Sequence, residues 1–257
     1  MLRILSVDNL SGAPYRLEPP GLDHSLRFET PAHIHDLVAA GHFDAALLPT
    51  AGLPEFHSRA VPLGAYGIAC RGPVRSVKLF SEVSLETVLR NRMPIYATPR
   101  SRTSIALLCV LCKRVYGGAP VLTPFYPQAA AHLLIGDAAY EFARNRGRQE
   151  HDIDLSDWWL AQTGLPFVFA RWVVSPTLSA GARERLAAWL ERCATHAATS
   201  EGVAEMASFE SNAHEFEARR AYYQQLRVRL DEDALAGLDF FLELLESTRH
   251  EYSARIA

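Results

Sequence analysis

The feature that most constrains this chain is a repeated change of period in its first half. Short apolar runs cut off by turn chemistry alternate with stretches whose apolar residues recur every three or four positions. Ile4 to Val7 is the first such run, and Asn9-Leu-Ser-Gly-Ala-Pro14 supplies the turn behind it. Arg27 to Glu29 is a second short strand. Thr30-Pro31 then caps a helix that runs through Ala40, with Ile34, Leu37 and Val38 at helical spacing and Gly41 at its end. Phe43 to Pro49 returns to an apolar strand stopped by proline. A strand, a helix and a strand in that order predict a parallel sheet, because parallel strands need a crossover of this kind. The predicted class is α/β.

Further along, Ala65 to Ala69 and Val74 to Phe80 are strand candidates around Arg71-Gly-Pro73, and the second is a candidate crossing between two lobes. Ser84 to Leu89 begins helically, and Ile95 to Thr98 reads as a strand. Ser101-Arg-Thr-Ser104 opens a long helix that ends near Tyr116 at Gly117-Gly118. His132 to Ile135 is another buried strand end, and the apolar segment Pro166 to Val174 has the length to cross back. Two crossings bracket a second lobe, so residues 1–82 with 172–257 are expected in one lobe and 83–171 in the other. From Gly181 onward the pattern predicts three helices and no strand: Ala182 to Ala197, Glu201 to Val228, and Asp231 to His250.

Composition removes whole classes of function. With 257 residues, 49% hydrophobic and 21% charged, the chain has the make-up of an ordinary folded protein. A net charge of -3 with dispersed Lys and Arg argues against a nucleic-acid surface. No apolar run reaches about 18 residues, so no membrane span is expected, and the first residues enter a strand directly, so a cytoplasmic location is expected. Nothing in the pattern sets an oligomeric state. The Cys109-x-x-Cys112 pair lies inside an apolar helical run without a second pair or a nearby histidine pair, which predicts packed thiols rather than a metal or redox site. His33 and His35 fall on different faces of their helix. A nucleophile elbow, a P-loop and a dinucleotide fingerprint are absent, so the expectation is a small-molecule cleft with no metal and no cofactor.

The polar residues at strand and helix ends are where chemistry would sit. Ser101, Arg102, Thr103 and Ser104 put hydroxyls, a guanidinium and backbone N–H groups at a helix N-terminus, a setting that suits a carboxylate or phosphate. The same hydroxyls also serve as ordinary N-caps. Gly136-Asp137 follows a strand, at the carboxyl end where ligands of open α/β sheets bind. Asp137 there either orients a ligand hydroxyl or acts as a base, or it caps a helix over Ala138 to Arg144. Arg75 and Ser76 in the crossing, and Ser11 and Thr50 after two first-lobe strands, are further candidates.

Four segments then narrow the field: Gly72-Pro-Val-Arg-Ser-Val-Lys-Leu-Phe-Ser81, Ser101-Arg-Thr-Ser-Ile-Ala-Leu-Leu108, Leu133-Leu-Ile-Gly-Asp-Ala-Ala139 and Thr163-Gly-Leu-Pro-Phe-Val-Phe-Ala170. In order, they resemble the signature segments of the chorismate dehydratase family, and Tyr222 to Leu245 is similar to its closing segment. The resemblance implies a fold like the second class of periplasmic binding proteins, two α/β lobes joined by two crossover strands with a helical C-terminal segment. It implies removal of water from chorismate to give 3-[(1-carboxyvinyl)oxy]benzoate, the entry step of the futalosine route to menaquinone, without metal or organic cofactor. On this reading Ser101, Thr103 and Ser104 hold a carboxylate, Ser76 assists, and a first-lobe polar residue helps move the proton or hydroxyl. The first lobe departs from the family pattern. Ser11 stands in place of an asparagine, Gly52 in place of a glutamate, Cys70 in place of a serine and Thr98 in place of an aspartate. A diverged enzyme, a carboxylate binder without turnover and an enzyme like the sister 1,4-dihydroxy-6-naphthoate synthase all remain open.

Overall fold

The structure is a computed structural model and describes residues 1–99, 101–147, 149–209 and 213–253. Strands β1 (Leu2–Val7), β2 (His24–Glu29), β3 (Ala45–Pro49), β4 (Val61–Cys70), β10 (Phe167–Val174) and β11 (Leu226–Arg229) form one sheet in the order β11-β4-β10-β3-β1-β2. Strands β5 (Val77–Ser81), β6 (Pro94–Ala97), β7 (Val121–Thr123), β8 (Ala131–Ile135) and β9 (Ile153–Asp154) form the other, in the order β7-β6-β8-β5-β9. The helices are α1 (Pro31–Ala39), α2 (Leu85–Arg90), α3 (Arg102–Tyr116), α4 (Gly136–Arg146), α5 (Leu155–Thr163), α6 (Ala180–Ala197), α7 (Ser200–Ser208), α8 (Ala213–Tyr223) and α9 (Glu232–Ser253). β1 pairs in parallel with both β2 and β3, as the strand-helix-strand order requires. Thr30 caps α1 by accepting the His33 N–H, with Pro31 in the first turn, and Gly117 ends α3 at φ 70°.

The chain leaves the first sheet after Cys70 and joins the second at Val77, then returns between Thr163 and Phe167. The crossings are therefore the short segments 71–76 and 164–166. The apolar runs on either side of them are buried strands of a single sheet. Residues 77–81 were expected in the first lobe and lie in the second sheet, whereas 167–171 were expected in the second lobe and lie in the first sheet. Cys70 pairs with Phe167 in the β4–β10 ladder, so both crossings start from one end of the same strand pair.

One carboxylate fixes the outgoing crossing. Asp154 accepts the N–H groups of Val74 at 3.1 Å and Arg75 at 2.6 Å, and also those of Ser156 at 3.1 Å and Asp157 at 3.3 Å at the start of α5. Burial raises the Asp154 pKa, while the four backbone donors pull the other way by stabilising the ionised form.

The tail departs from the three-helix expectation. It carries α6, α7, α8 and α9, and Leu226–Arg229 is an edge strand antiparallel to β4. The turn expected after β1 is wound as a 3-10 helix over Leu10–Arg16 with Pro14 inside it. A side chain at Gly12 would lie 2.0 Å from the Val7 carbonyl oxygen, so the chain folds back too tightly for any other residue.

α3 occupies the middle of the core. Every residue from Ile105 to Cys112 is buried, because α3 packs on α5 of its own lobe and on α9 from the tail. Cys109 and Cys112 are buried thiols within this packing and form no disulfide. Trp159 of α5 meets Phe167 at 5.6 Å and Phe241 of α9 at 5.9 Å, edge-on in both cases. Burying a ring of this size contributes roughly 4 to 6 kcal/mol as an upper estimate, so the joint between lobe and tail is well supported. Among the described residues no helix is long and apolar enough to cross a membrane.

Candidate functional site

The lobes face each other across a cleft of about 550 Å³ of empty space, part of it open to solvent. The first lobe supplies Asn9 and Ser11 from the turn after β1, and Phe169 from β10. The crossing supplies Val74 and Ser76. Ser101, Thr103 and Ser104 come from the start of α3, Gly136 from the β8–α4 junction, and Tyr222 from the end of α8. Val7, Ile68 and Ile135 add apolar wall.

The start of α3 is built from hydroxyls. Ser101 is the N-cap: its Oγ accepts the Ser104 N–H at 3.2 Å and lies 3.0 Å from Ser104 Oγ. Thr103 Oγ1 accepts the Ala51 N–H across the cleft at 3.2 Å. All three side chains are buried, and the first turn of α3 holds no acidic residue. Backbone N–H groups of a first helical turn have no acceptor within the helix, and the helix dipole adds to their pull on an anion. A carboxylate is therefore the ligand group this end is suited to hold.

The start of α4 is built differently. Gly136 sits at φ 58°, and a Cβ on it would lie 3.3 Å from Asn9 Cβ, so glycine is required by backbone and space together. Its N–H donates to the Ser76 carbonyl at 2.7 Å. Ile135 provides no side-chain cap, and Asp137 in the first turn sets a negative charge against the helix dipole. Asp137 Oδ1 accepts the Leu10 N–H at 3.2 Å, which ties the second lobe to the first.

Among the described lining residues there is no carboxylate, imidazole, ammonium or guanidinium; Tyr222 is the one group that titrates. Burial raises its pKa well above the usual phenol value, and the donor from Ser76 offsets only part of that. The cleft is thus a neutral chamber whose attraction for an anion comes from dipoles rather than from a cation.

Six residues expected at the site from sequence line this cleft: Ser11, Ser76, Ser101, Thr103, Ser104 and Gly136. Four others do not, and each has a physical reason. Thr50 turns inward and donates its hydroxyl to the Val168 carbonyl at 2.7 Å. Arg75 is exposed, held at φ 65° by its N–H to Asp154. Arg102 points across to lobe one, 3.1 Å from His35 Nε2 and 4.0 Å from Glu55 Oε2. Asp137 borders an adjoining hollow with Asp8 rather than the cleft itself.

Sequence reasoning missed Asn9 and Tyr222. Asn9 Oδ1 accepts from Ser11 twice, from its N–H at 3.1 Å and its Oγ at 2.6 Å. An amide therefore stands beside Ser11 after all, two positions earlier in the chain. Its position directly after a strand was the available signal. The changed residue Gly52 packs against His35, with the Cβ position 3.2 Å from the ring. Cys70 donates to the Gly72 carbonyl at 3.5 Å, and burial pushes its thiol up to about 12, so it is unreactive at neutral pH.

With this geometry in place, comparison with known proteins is decisive at the level of family. The family described as "Menaquinone biosynthesis" matches residues 9–247. The chain belongs to that family. Over 191 residues it is 29% identical to the chorismate dehydratase of Thermus thermophilus, covering 63% of this chain and 68% of the relative. Among solved structures, the alkanesulfonate-binding protein of Xanthomonas axonopodis pv. citri, determined bound to MOPS, superposes with a TM-score of 0.67 at 14% identity, covering 96% of this chain and 93% of the other. A protein of Archaeoglobus fulgidus gives 0.64 at 17%, covering 96% and 97%. A Candida albicans protein described as having the generic periplasmic binding protein fold gives 0.66 at 9%, covering 96% and 90%. These last three matches show the fold. This menaquinone-family member accordingly has the two-lobed binding-protein architecture.

Proposed function

We propose that the protein is a carbon–oxygen lyase that removes water from chorismate to give 3-[(1-carboxyvinyl)oxy]benzoate, acting in the cytoplasm at the entry to the futalosine route. The observation that carries this reading is the acid-free, hydroxyl-lined start of α3, which faces a neutral cleft between the lobes. Family membership and a relative named chorismate dehydratase support it.

The chemistry asks little of the protein. Loss of the C3 proton and the C4 hydroxyl makes the ring aromatic, so a held pose and a proton acceptor suffice. Ser101, Thr103 and Ser104 hold one carboxylate. Since the described lining offers no ionised base, the acceptors at hand are the ligand's second carboxylate and Asp137 at the rim. The Thr103–Ala51 and Asp137–Leu10 hydrogen bonds hold the lobes together around the ligand.

The test is incubation of the purified protein with chorismate, followed by diene absorbance and mass. Decay of the diene with appearance of the benzoate is the expected result. A second reading, a binder of a cyclic carboxylate without turnover, draws on Ser11 and Gly52, where the family pattern has an amide and an acid. A raised Tm in chorismate with the diene intact would establish the binder and overturn the lyase.

A further inference from the structure

The hydroxyls lining the cleft differ in what becomes of their hydrogens. Ser101 and Ser104 face each other at 3.0 Å, and Ser11 donates to Asn9 Oδ1 at 2.6 Å. Ser76 donates to the Tyr222 hydroxyl oxygen at 3.3 Å. Tyr222 therefore accepts, and among the described residues its own hydrogen has no acceptor. The side chain is 1% exposed, and its ring is wedged edge-on between Tyr140 at 6.5 Å and Tyr223 at 5.1 Å, which fixes where the hydroxyl points. A buried donor without an acceptor is costly, and native structures rarely keep one idle. In the wall of a ligand cleft, it marks a place for an acceptor on the ligand.

We infer that Tyr222, backed by Ser76, is a catalytic residue that donates its hydroxyl hydrogen to the oxygen leaving the ring. The inference rests on the lyase reading. As the C3–H bond breaks, its electron pair enters the ring, and the C4–O bond breaks with its pair leaving on oxygen. The departing hydroxide takes the Tyr222 hydrogen and becomes water. The proton that the acceptor took from C3 returns to the phenolate and restores the phenol. Nothing is oxidised or reduced, and the sum is loss of one water. Hydroxide is a stronger base than phenolate and takes a proton even from a buried phenol. The Ser76 hydrogen bond stabilises charge on the Tyr222 oxygen while that transfer is under way.

The test is steady-state kinetics on chorismate in H₂O and D₂O. Tyr222→Phe keeps the ring and its packing, and is expected to lower kcat about 100-fold with KM within about threefold, as loss of one oriented donor does. Ser76→Ala is expected to lower kcat about tenfold, and the double variant no further than Tyr222→Phe alone, because the two act as one chain. The wild-type solvent isotope effect is expected to vanish in Tyr222→Phe, a change that a packing role would not produce. If Tyr222→Phe keeps the wild-type kcat and isotope effect, or changes KM alone, the assignment is overturned and the lyase reading stands. If the Phe variant does not fold, an unchanged kcat in Ser76→Ala overturns it equally. If the wild-type protein leaves chorismate intact, both fall together.

Discussion

Two helices point their first turns at the same cleft, and they solve the problem of a helix start in opposite ways. α3 is capped by a serine, carries buried hydroxyls and has no acid in its first turn; α4 has no side-chain cap, begins with a left-handed glycine and carries Asp137. The difference shows that proximity of a helix N-terminus to a pocket does not by itself make an anion site. At α4 the dipole is already countered by the protein's own carboxylate, and that carboxylate joins the lobes through Leu10. At α3 no acid in the first turn counters it.

The comparison breaks most visibly if charge is moved. Ser104→Asp puts a carboxylate at the α3 start, where repulsion of about 4 kcal/mol for charges near 4 Å predicts a several-hundred-fold loss of chorismate affinity by calorimetry. Ala138→Asp, in the first turn of α4, is expected to change affinity by no more than about threefold; equal losses would erase the distinction. A smaller effect is expected from Ser101→Ala. Loss of the cap lowers stability by about 1 kcal/mol in denaturant unfolding and weakens carboxylate binding about tenfold, and stability loss without affinity loss would reduce Ser101 to a structural cap. The smallest change is predicted for Asp137→Ala. The single, part-buried hydrogen bond to Leu10 contributes less than about 1 kcal/mol, so affinity is expected to fall about threefold, with a larger unliganded radius in small-angle scattering. An unchanged radius would mean that α4 does not fasten the lobes.

Much of this arrangement was legible in the residues. Thr30-Pro31 and Gly117 mark helix ends because their backbone preferences act locally, and Ala45 to Pro49 is apolar on both faces because it is a central strand. The start of α3 was legible for the same reason, since a cap and its hydroxyls are neighbours in sequence. What could not be read depends on distant partners. Leu226–Arg229 alternates apolar and basic residues, and only pairing with β4 makes it a strand rather than part of a helix. Thr50 and Ser11 both follow first-lobe strands, yet one hydroxyl turns in to Val168 and the other lines the cleft, a choice made by tertiary packing. Arg75 and Arg102 carry charges that suggested ligand contacts, but a turn conformation and the His35–Glu55 pair take them elsewhere. Tyr222 was hidden among the polar residues of a tail helix.

Tyr222 and β11 belong to a tail that returns to the first sheet, whereas the residues of the second sheet form one uninterrupted stretch. During synthesis the inner lobe is therefore spelled out whole while the outer lobe still waits for its last strand. The α3 face that α9 covers is made more than a hundred residues before its cover. The lining of the cleft is complete only when translation has passed Tyr222, so a chain cut short before it would keep the hydroxyls of the inner lobe and lack both that tyrosine and the last strand of the outer one.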